Sequence, residues 1–449
     1  MNNENTPLIS NNNPNGRDST ALYAHRSNAS SVYNGEDLLA ERPEQGSNLL
    51  AYANIVCIVA GAGTLSLPYA LKMGGWIVIG VLILSLLMSI YTGILLMKCL
   101  YYNGTYRLSS YQEVGRHAFG RAGLIAVWLF YTPIVIGAPA MYLILAGTEM
   151  KNLVTGVDIS TKAWILICAA LVATPFVLMK TLKEVAIMSI FGALATVLLV
   201  VVAVRGSVVD FDNPVYADVR HDIVVLSQLP ATVASISVCF GGNVVYMHIE
   251  EVMRYPRSWN WVLAAALGTC SALYLTTAIS GYITYGDRAE SPILNNLPKD
   301  IFTEVGTVVI IVHVLLAAPI LLTSFALELE RLADITVVHR GVVMERVYRT
   351  ILRLIIIGIC GGIACTVPYF GDFLSLLGAL GNCTLVFVLP IFCYFKLIGW
   401  KHLKWYELVW CAATVIIGVL GAIIGSIDAI KALKDDFEND NPSNYRLDL

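Results

Sequence analysis

Charged residues are scarce in this sequence. Lys, Arg, Asp and Glu make up 14% of its 449 residues, against about 25% in an average soluble domain, while hydrophobic residues make up 57%. This shortage excludes an ordinary water-soluble protein and predicts a chain whose main solvent is lipid. The net charge of -3 also lacks the basic excess that phosphate binding needs, so we expect no nucleic-acid partner.

Metal-binding and catalytic patterns are missing as well. The 10 cysteines form no Cys-x-x-Cys pair and show no metal-type spacing with histidine. Most of them fall inside apolar runs, which predicts a packing role. The sequence also has no Gly-x-Ser-x-Gly nucleophile motif. We therefore expect neither an enzyme nor a bound metal or cofactor.

Apolar runs dominate instead, and many are long enough to cross a bilayer. A spanning helix needs roughly 20 mostly apolar residues. The sequence predicts 11 such spans, at about 49–71, 75–98, 122–148, 163–180, 184–204, 225–248, 259–285, 304–327, 351–370, 374–395 and 405–428. The chain is thus predicted to be an all-α polytopic membrane protein, with its transmembrane domain at residues 47–428.

The segments outside the spans are polar. Residues 1–46 lack the apolar run of a signal peptide and predict a disordered tail, and residues 429–449 predict a short C-terminal tail. Lys and Arg are more frequent on the side of the N-terminus, which predicts that this terminus is cytosolic. Three residues of the tail, Glu4, Leu8 and Ile9, fit an acidic dileucine signal for a sorting adaptor. Such a signal predicts a vacuolar or lysosomal membrane, and the alternative is the plasma membrane.

Span 1 contains residues that interrupt a helix at membrane depth. Gly61 and Gly63 lack side chains and Pro68 lacks a backbone donor, which together favour an unwound stretch. Unwound backbone is tolerated there only where it packs in protein or lines a cavity, so its free peptide groups can bind a ligand. The predicted binding residues at this break are Ala60, Gly61, Ala62, Gly63, Thr64 and Leu65.

Span 6 carries a matching break at Phe240, Gly241, Gly242 and Asn243. Glycine is also common where membrane helices pack closely, and a single break would favour packing. Two interrupted spans at corresponding places in two halves indicate a transporter site instead. We therefore expect two five-helix repeats of inverted orientation, at residues 47–205 and 225–396, with span 11 as an addition.

The peptide groups at these breaks suit an amino acid zwitterion. The N–H groups of Gly63, Thr64 and Leu65 begin a half-helix and suit a carboxylate. Carbonyl groups around Ala60 and at Gly241 suit an ammonium group. The sparse charge within the spans favours a neutral substrate.

Three stretches resemble motifs of the amino acid/auxin permease family. They are GAGTLSLPYALKMGGW at 61–76, GGNVVYMHIEEVMRYP at 241–256 and LLGALGNCTLVFVLPIFCYFKL at 376–397. The resemblance implies an 11-helix LeuT-type fold and amino acid transport coupled to a cation. Sodium-coupled members carry an asparagine four residues before the first glycine of the span 1 motif. Cys57 stands there in this sequence, which favours protons over sodium.

Ionisable groups inside the spans are candidates for the coupling proton. His313 lies within span 8, and its titration range suits proton exchange, although a packing histidine is an equal alternative. Glu250 either binds the proton or pairs with Arg254, four residues on. Glu149 is a third candidate, with a solvated side chain as its alternative. Tyr131 is predicted to reach the substrate, although membrane tyrosines more often pack or lie at an interface.

Two functions remain open at this point. The first is a secondary active transporter of small neutral amino acids, coupled to protons and working by alternating access. The second is an amino acid sensor of the same fold that signals through the 1–46 tail. Deletion of that tail separates them, because transport survives the deletion and signalling does not.

Overall fold

The structure is a computed structural model that describes residues 38–154, 156–179, 182–335, 337–367 and 369–439. The proposed sorting residues Glu4, Leu8 and Ile9 lie outside this range. The described part is almost entirely helical, and its only pairing of strand type is an isolated bridge between Gly46 and Met253. The prediction of an all-α fold is therefore confirmed.

Eleven helices are long and apolar enough to cross a membrane in the described part of the chain. Two are interrupted: α1 consists of α1a (Asn48–Val59), a 3-10 turn (Ala62–Ser66) and α1b (Leu67–Gly74), and α6 consists of α6a (Leu229–Cys239) and α6b (Asn243–Glu251). The others are α2 (Ile77–Leu100), α3 (Tyr111–Leu153), α4 (Thr161–Leu178), α5 (Leu182–Asp210), α7 (Trp259–Tyr285), α8 (Ile301–Leu332), α9 (Val337–Thr366), α10 (Phe370–Leu397) and α11 (Trp405–Asn439). The chain is a multi-pass integral membrane protein.

Several helices extend beyond the predicted spans. Helix α3 begins at Tyr111, because the Ser110 side chain accepts a hydrogen bond from the Glu113 backbone N–H and caps the helix. It is kinked at Gly120, whose φ of 63° suits glycine. Helix α11 continues to Asn439, so part of the predicted C-terminal tail is helical.

The interrupted helices lie at the centre of the bundle. In the apolar stretch of α1 that is long enough to cross the membrane, 83% of the residues are buried, compared with 28% in the corresponding stretches of α4 and α11. The peripheral helices expose large apolar side chains such as Leu171, Leu194 and Ile416. Those side chains suit contact with lipid, whereas the backbone of α1 and α6 is shielded by neighbouring helices.

The two sides of the membrane are named here after the chain. The N-terminal side is the one at which α1 begins, and the C-terminal side is the one at which α11 ends. Because the number of spans is odd, these two sides are opposite.

Candidate functional site

The helix of α1 is interrupted where the sequence predicts it. Helix α1a ends at Val59, and Gly61 has a backbone conformation outside the helical range, with φ -77° and ψ -134°. The chain then forms a 3-10 turn before α1b, in which Pro68 lies within the first two residues. Proline suits that place, because the first N–H groups of a helix have no partner within it. The break leaves peptide groups without helical partners deep in the bundle.

Helix α6 is interrupted at the corresponding position. Helix α6a ends at Cys239, and α6b starts at Asn243. A Cβ atom on Gly241 would lie 2.4 Å from Nδ2 of Asn382 in α10, so the close approach of α10 requires glycine. Gly241 is nevertheless only half-buried, although its neighbours Phe240 and Gly242 are buried. Its peptide group is thus accessible within the bundle.

The two breaks meet. A Cβ atom on Gly63 would lie 2.9 Å from Sγ of Cys239, which places the unwound part of α1 against the end of α6a. The Tyr274 hydroxyl of α7 lies 2.5 Å from the carbonyl oxygen of Val59 and 2.6 Å from that of Cys239. The carbonyl ends of α1a and α6a therefore converge on one point.

Polar side chains at the breaks are partly engaged. The Thr64 hydroxyl, a predicted ligand, donates to the carbonyl of Ala60 at 3.1 Å. Asn243 donates from Nδ2 to the carbonyl of Leu385 at 3.3 Å, while its Oδ1 has no hydrogen-bond partner in the described structure. Asn243 is fully buried, so this oxygen is an unpaired acceptor at the start of α6b.

His313 lies directly against the break in α1. Its side chain is 1% exposed, and its Nδ1 lies 2.9 Å from the carbonyl oxygen of Gly192 in α5. A carbonyl only accepts hydrogen bonds, so Nδ1 carries the hydrogen of the neutral ring. The other nitrogen, Nε2, lacks a partner in the described structure and lies 3.1 Å from where a Cβ atom on Gly61 would be. A free basic nitrogen therefore faces the unwound backbone.

Glu250 lies in an ion-pair cluster at the N-terminal side. Its carboxylate is 2.7 Å from Nε of Arg107 and 3.3 Å from Nη2 of Arg42, and it accepts a hydrogen bond from the Tyr101 hydroxyl at 2.5 Å. The predicted pairing with Arg254 is wrong, because Arg254 pairs with Glu41 at 2.7 Å and lies beyond the end of α6b.

Arg107 stays positively charged in this cluster. Burial by itself lowers the pKa of the Arg107 guanidinium, but Glu250 and its neighbours raise that pKa above its ordinary value. The carboxylate of Glu250 is thus matched by a permanent positive charge.

Two further candidates lie away from the breaks. Glu149 is 3% exposed rather than solvated, and one of its carboxylate oxygens has no partner in the described structure. The hydroxyl of Tyr142 in α3 reaches Gly61. Glu149 lies two turns further along α3, or about 10 Å from Tyr142. Tyr131 precedes Tyr142 by about 16 Å along the same helix and packs against Trp128 and Phe325.

The sequence analysis missed two residues at the breaks. The hydroxyl of Tyr142 lies 3.4 Å from the Cβ position of Gly61, and the hydroxyl of Tyr274 contacts both breaks. Their only signal in the sequence is a tyrosine in the middle of an apolar span, which also fits packing.

A cavity of about 280 Å³ opens near the breaks from the C-terminal side. Its lining includes Ser66, the last residue of the 3-10 turn, which shares a hydrogen bond of 3.0 Å with Ser291. Ser235 and Ser375 form a second pair at 2.8 Å in the same lining. Two hydrogen-bonded serine pairs therefore belong to the lining of the cavity, and Ser66 of one pair belongs to the break of α1.

The N-terminal side is closed by the chain that precedes α1. The N–H of Gly46 donates to the carbonyl of Val252 at 2.8 Å, and the N–H of Arg254 donates to the carbonyl of Gly46 at 2.7 Å. Arg42 adds its ion pair with Glu250. These contacts join the segment before α1 to the end of α6b.

A family model described as transmembrane amino acid transporter protein matches residues 44–431. The chain belongs to this family. The match covers most of the sequence and confirms the resemblance to the amino acid/auxin permeases. As the members compared below are named as transporters, the chain belongs with transporters and not with enzymes.

Relatives within the transmembrane amino acid transporter family occur in plants. Amino acid transporter AVT1C of Arabidopsis thaliana is 26% identical over 418 residues, which cover 91% of this chain and 74% of that protein. Amino acid transporter AVT1H of the same plant is 28% identical over 408 residues, which cover 89% of this chain and 92% of that protein.

Solved structures show the fold of this family member. The Eremococcus coleocola manganese transporter aligns with a TM-score of 0.53 at 15% identity, covering 92% of this chain and 94% of that one. The inward-facing form of Mhp1 aligns with a TM-score of 0.54 at 13% identity, covering 91% and 95%. Both are LeuT-type transporters, and the predicted LeuT-type fold is therefore confirmed.

Proposed function

We propose that this protein is a secondary active transporter of small neutral amino acids that moves its substrate together with a proton. The observation that carries this proposal is the meeting of two helix breaks beside a buried histidine with a free nitrogen. The relatives' names as amino acid transporters supply the substrate class.

The breaks offer binding groups of both signs. Helices α1a and α6a direct their carbonyl ends toward the meeting point, and α6b begins there with its N–H groups. Carbonyl ends carry partial negative charge and suit an ammonium group, whereas N-terminal ends carry partial positive charge and suit a carboxylate. A zwitterion is thereby held without charged side chains.

The surroundings of the site favour a small uncharged side chain. Gly63 and Cys239 approach closely, and the carboxylate of Glu250 is already paired with two arginines. A charged substrate side chain would lose its hydration here without gaining a free counter-ion.

His313 is the group that we propose for proton coupling. Its Nε2 faces Gly61, so a proton bound there places positive charge beside the substrate site. Cys57, which replaces the asparagine of sodium-coupled relatives, is buried against Gly192 and supplies no oxygen ligand. Both features support protons as the coupling ion.

Alternating access would use the open cavity on the C-terminal side and the closure on the N-terminal side. The cavity on the C-terminal side leads toward the breaks, whereas the Glu250 cluster closes the N-terminal side. Rocking of one helix bundle against the other would part the Glu250 cluster and release the substrate on the N-terminal side.

The test is uptake of labelled amino acids into proteoliposomes under an imposed pH gradient. One proton per substrate gives about tenfold accumulation per pH unit, since that unit supplies about 1.4 kcal/mol. The variant His313→Gln should lose this accumulation while it keeps exchange between internal and external substrate. The exposed histidine variant His117→Gln is the matched control and should accumulate substrate normally.

Three outcomes would contradict the proposal. Uptake that follows a sodium gradient and ignores pH contradicts the coupling ion. Accumulation by His313→Gln equal to that of the control contradicts the role of this histidine. Binding of an amino acid without any transport by the full chain supports the sensor instead.

A further inference from the structure

One tyrosine hydroxyl joins the two helix breaks. Tyr274 lies in α7, is fully buried, and places its hydroxyl oxygen 2.5 Å from the carbonyl of Val59 and 2.6 Å from the carbonyl of Cys239. Val59 is the last residue of α1a, and Cys239 is the last residue of α6a. The Tyr274 ring is fixed edge-to-face against Phe240, with centroids 5.5 Å apart.

This arrangement is short of hydrogen-bond donors. A hydroxyl has one hydrogen, and a carbonyl has none to donate. Tyr274 therefore donates to only one of the two carbonyls at a time, and three oxygen atoms share a single hydrogen. Both carbonyls belong to C-terminal helix ends, which adds partial negative charge at the same point.

An ammonium group corrects this shortage. It brings three N–H donors and a full positive charge to a buried place where one hydroxyl hydrogen serves two carbonyl groups. The carbonyl of Ala60, one of the acceptors expected from the sequence together with those around it and that of Gly241, already receives a hydroxyl of its own, that of Thr64. Val59 and Cys239 are therefore the better acceptors, and the Tyr274 hydroxyl stands between them.

We propose that Tyr274 is a positioning residue whose hydroxyl takes the place of the substrate ammonium in the empty transporter. It holds the two breaks together when no amino acid is bound, and it yields to the ammonium on binding. This inference rests on the proposed function, because it assumes an amino acid at the breaks.

The consequence concerns the step in which the empty transporter returns. Net transport requires the unloaded protein to reorient from one side of the membrane to the other, whereas exchange of one substrate molecule for another skips this reorientation. A hydroxyl that donates to the carbonyl groups at the breaks when no substrate is bound makes the return of the empty transporter possible. It also competes with the ammonium, which weakens substrate binding.

The variant Tyr274→Phe removes this hydroxyl and keeps the ring that packs on Phe240. We expect about a tenfold lower Kd for the amino acid and about tenfold slower net uptake, while exchange stays within about twofold. The control Tyr282→Phe makes the same change in the same helix, where the buried hydroxyl accepts from the Asp222 N–H at 2.8 Å. It should leave net uptake and exchange in their normal ratio.

A second probe separates competition from general damage. The desamino analogue of the substrate has the carboxylate but no ammonium, so it binds without displacing the Tyr274 hydroxyl. Competition assays should show that Tyr274→Phe improves binding of the amino acid and leaves binding of the desamino analogue unchanged. Should this variant fail to fold, 3-fluorotyrosine at position 274 of the full chain gives a fluorine NMR signal. That signal should shift with the amino acid and stay in place with the analogue.

Other results would overturn the inference. A higher Kd with parallel loss of net uptake and exchange makes the hydroxyl a direct ligand or a structural bond. Behaviour equal to that of Tyr282→Phe makes it irrelevant to the cycle. If the wild-type chain itself neither binds nor transports amino acids, the proposed function has failed, and that result is distinct from both.

Discussion

Glu250→Gln is predicted to open the N-terminal side of the protein. Glu250 is 1% exposed and ties together the segment before α1, the loop after α2 and the end of α6b. The substitution keeps the shape of the side chain but removes the charge that balances Arg107 and Arg42. Arg107 is only 14% exposed, so its positive charge would remain without its counter-ion in a poorly hydrated place.

The structure sets the magnitude of this effect. Removing one partner of a buried ion pair costs about 3–5 kcal/mol, and the lower end applies because Arg42 is partly exposed and glutamine still accepts a hydrogen bond. A cost of about 3 kcal/mol shifts the balance between closed and open forms by more than a hundredfold.

Hydrogen–deuterium exchange of the full-length protein measures this opening. The backbone N–H groups of Gly46 and Arg254 are protected by the hydrogen bonds that close the N-terminal side. Both should exchange faster in Glu250→Gln, while amides in the middle of α5 and α8 keep their protection. The matched control is Glu41→Gln, which removes the exposed partner of Arg254 and should leave both amides protected.

A double-mutant cycle tests the assignment further. Arg107→Gln should open the same side, and the combination with Glu250→Gln should cost less than the sum of the two single changes, because the partners are in contact. Unchanged exchange of Gly46 and Arg254 in Glu250→Gln, or strict additivity with Arg107→Gln, would refute the reasoning.

Two further predictions concern packing and location. Gly378→Ala should lower the thermal unfolding temperature or abolish folding, because the new Cβ would lie 1.9 Å from the carbonyl oxygen of Ala234 in α6a. Gly358→Ala in α9 is its control: it meets no atom within 4 Å and should be neutral or stabilising by about 0.5–1 kcal/mol in a melting experiment. The double variant with Leu8 and Ile9 replaced by alanine should move a fluorescently tagged protein to the plasma membrane, and an unchanged location in microscopy would remove the proposed sorting signal.

The number and order of the helices follow from the sequence because hydrocarbon imposes a simple rule. A chain in lipid must satisfy its backbone in helices of about 20 apolar residues. The same rule makes the glycines and proline of the two breaks conspicuous, since interruptions at membrane depth need a reason. Helix ends were less predictable: α3 begins at Tyr111 through a side-chain cap by Ser110, and α11 continues to Asn439.

Which residues meet at the breaks was decided by tertiary structure. Composition and spacing identified Gly61, Gly241 and His313. Only packing places Nε2 of His313 against Gly61 and lets its Nδ1 donate a hydrogen bond to the carbonyl of Gly192. Glu250 had a plausible partner four residues away, yet distant arginines bind it instead. Local rules for a helix cannot anticipate partners that are brought close by loops and other helices.

The sequence by itself therefore determined the membrane spans and the two places where helices must break, because both depend on local composition, and its motifs indicated the family. Tertiary structure alone decided how the carbonyl ends of α1a and α6a converge on the hydroxyl of Tyr274. A tyrosine in an apolar span looks the same whether it packs or binds. Only the approach of two helix ends from opposite halves of the chain gives this hydroxyl its acceptors.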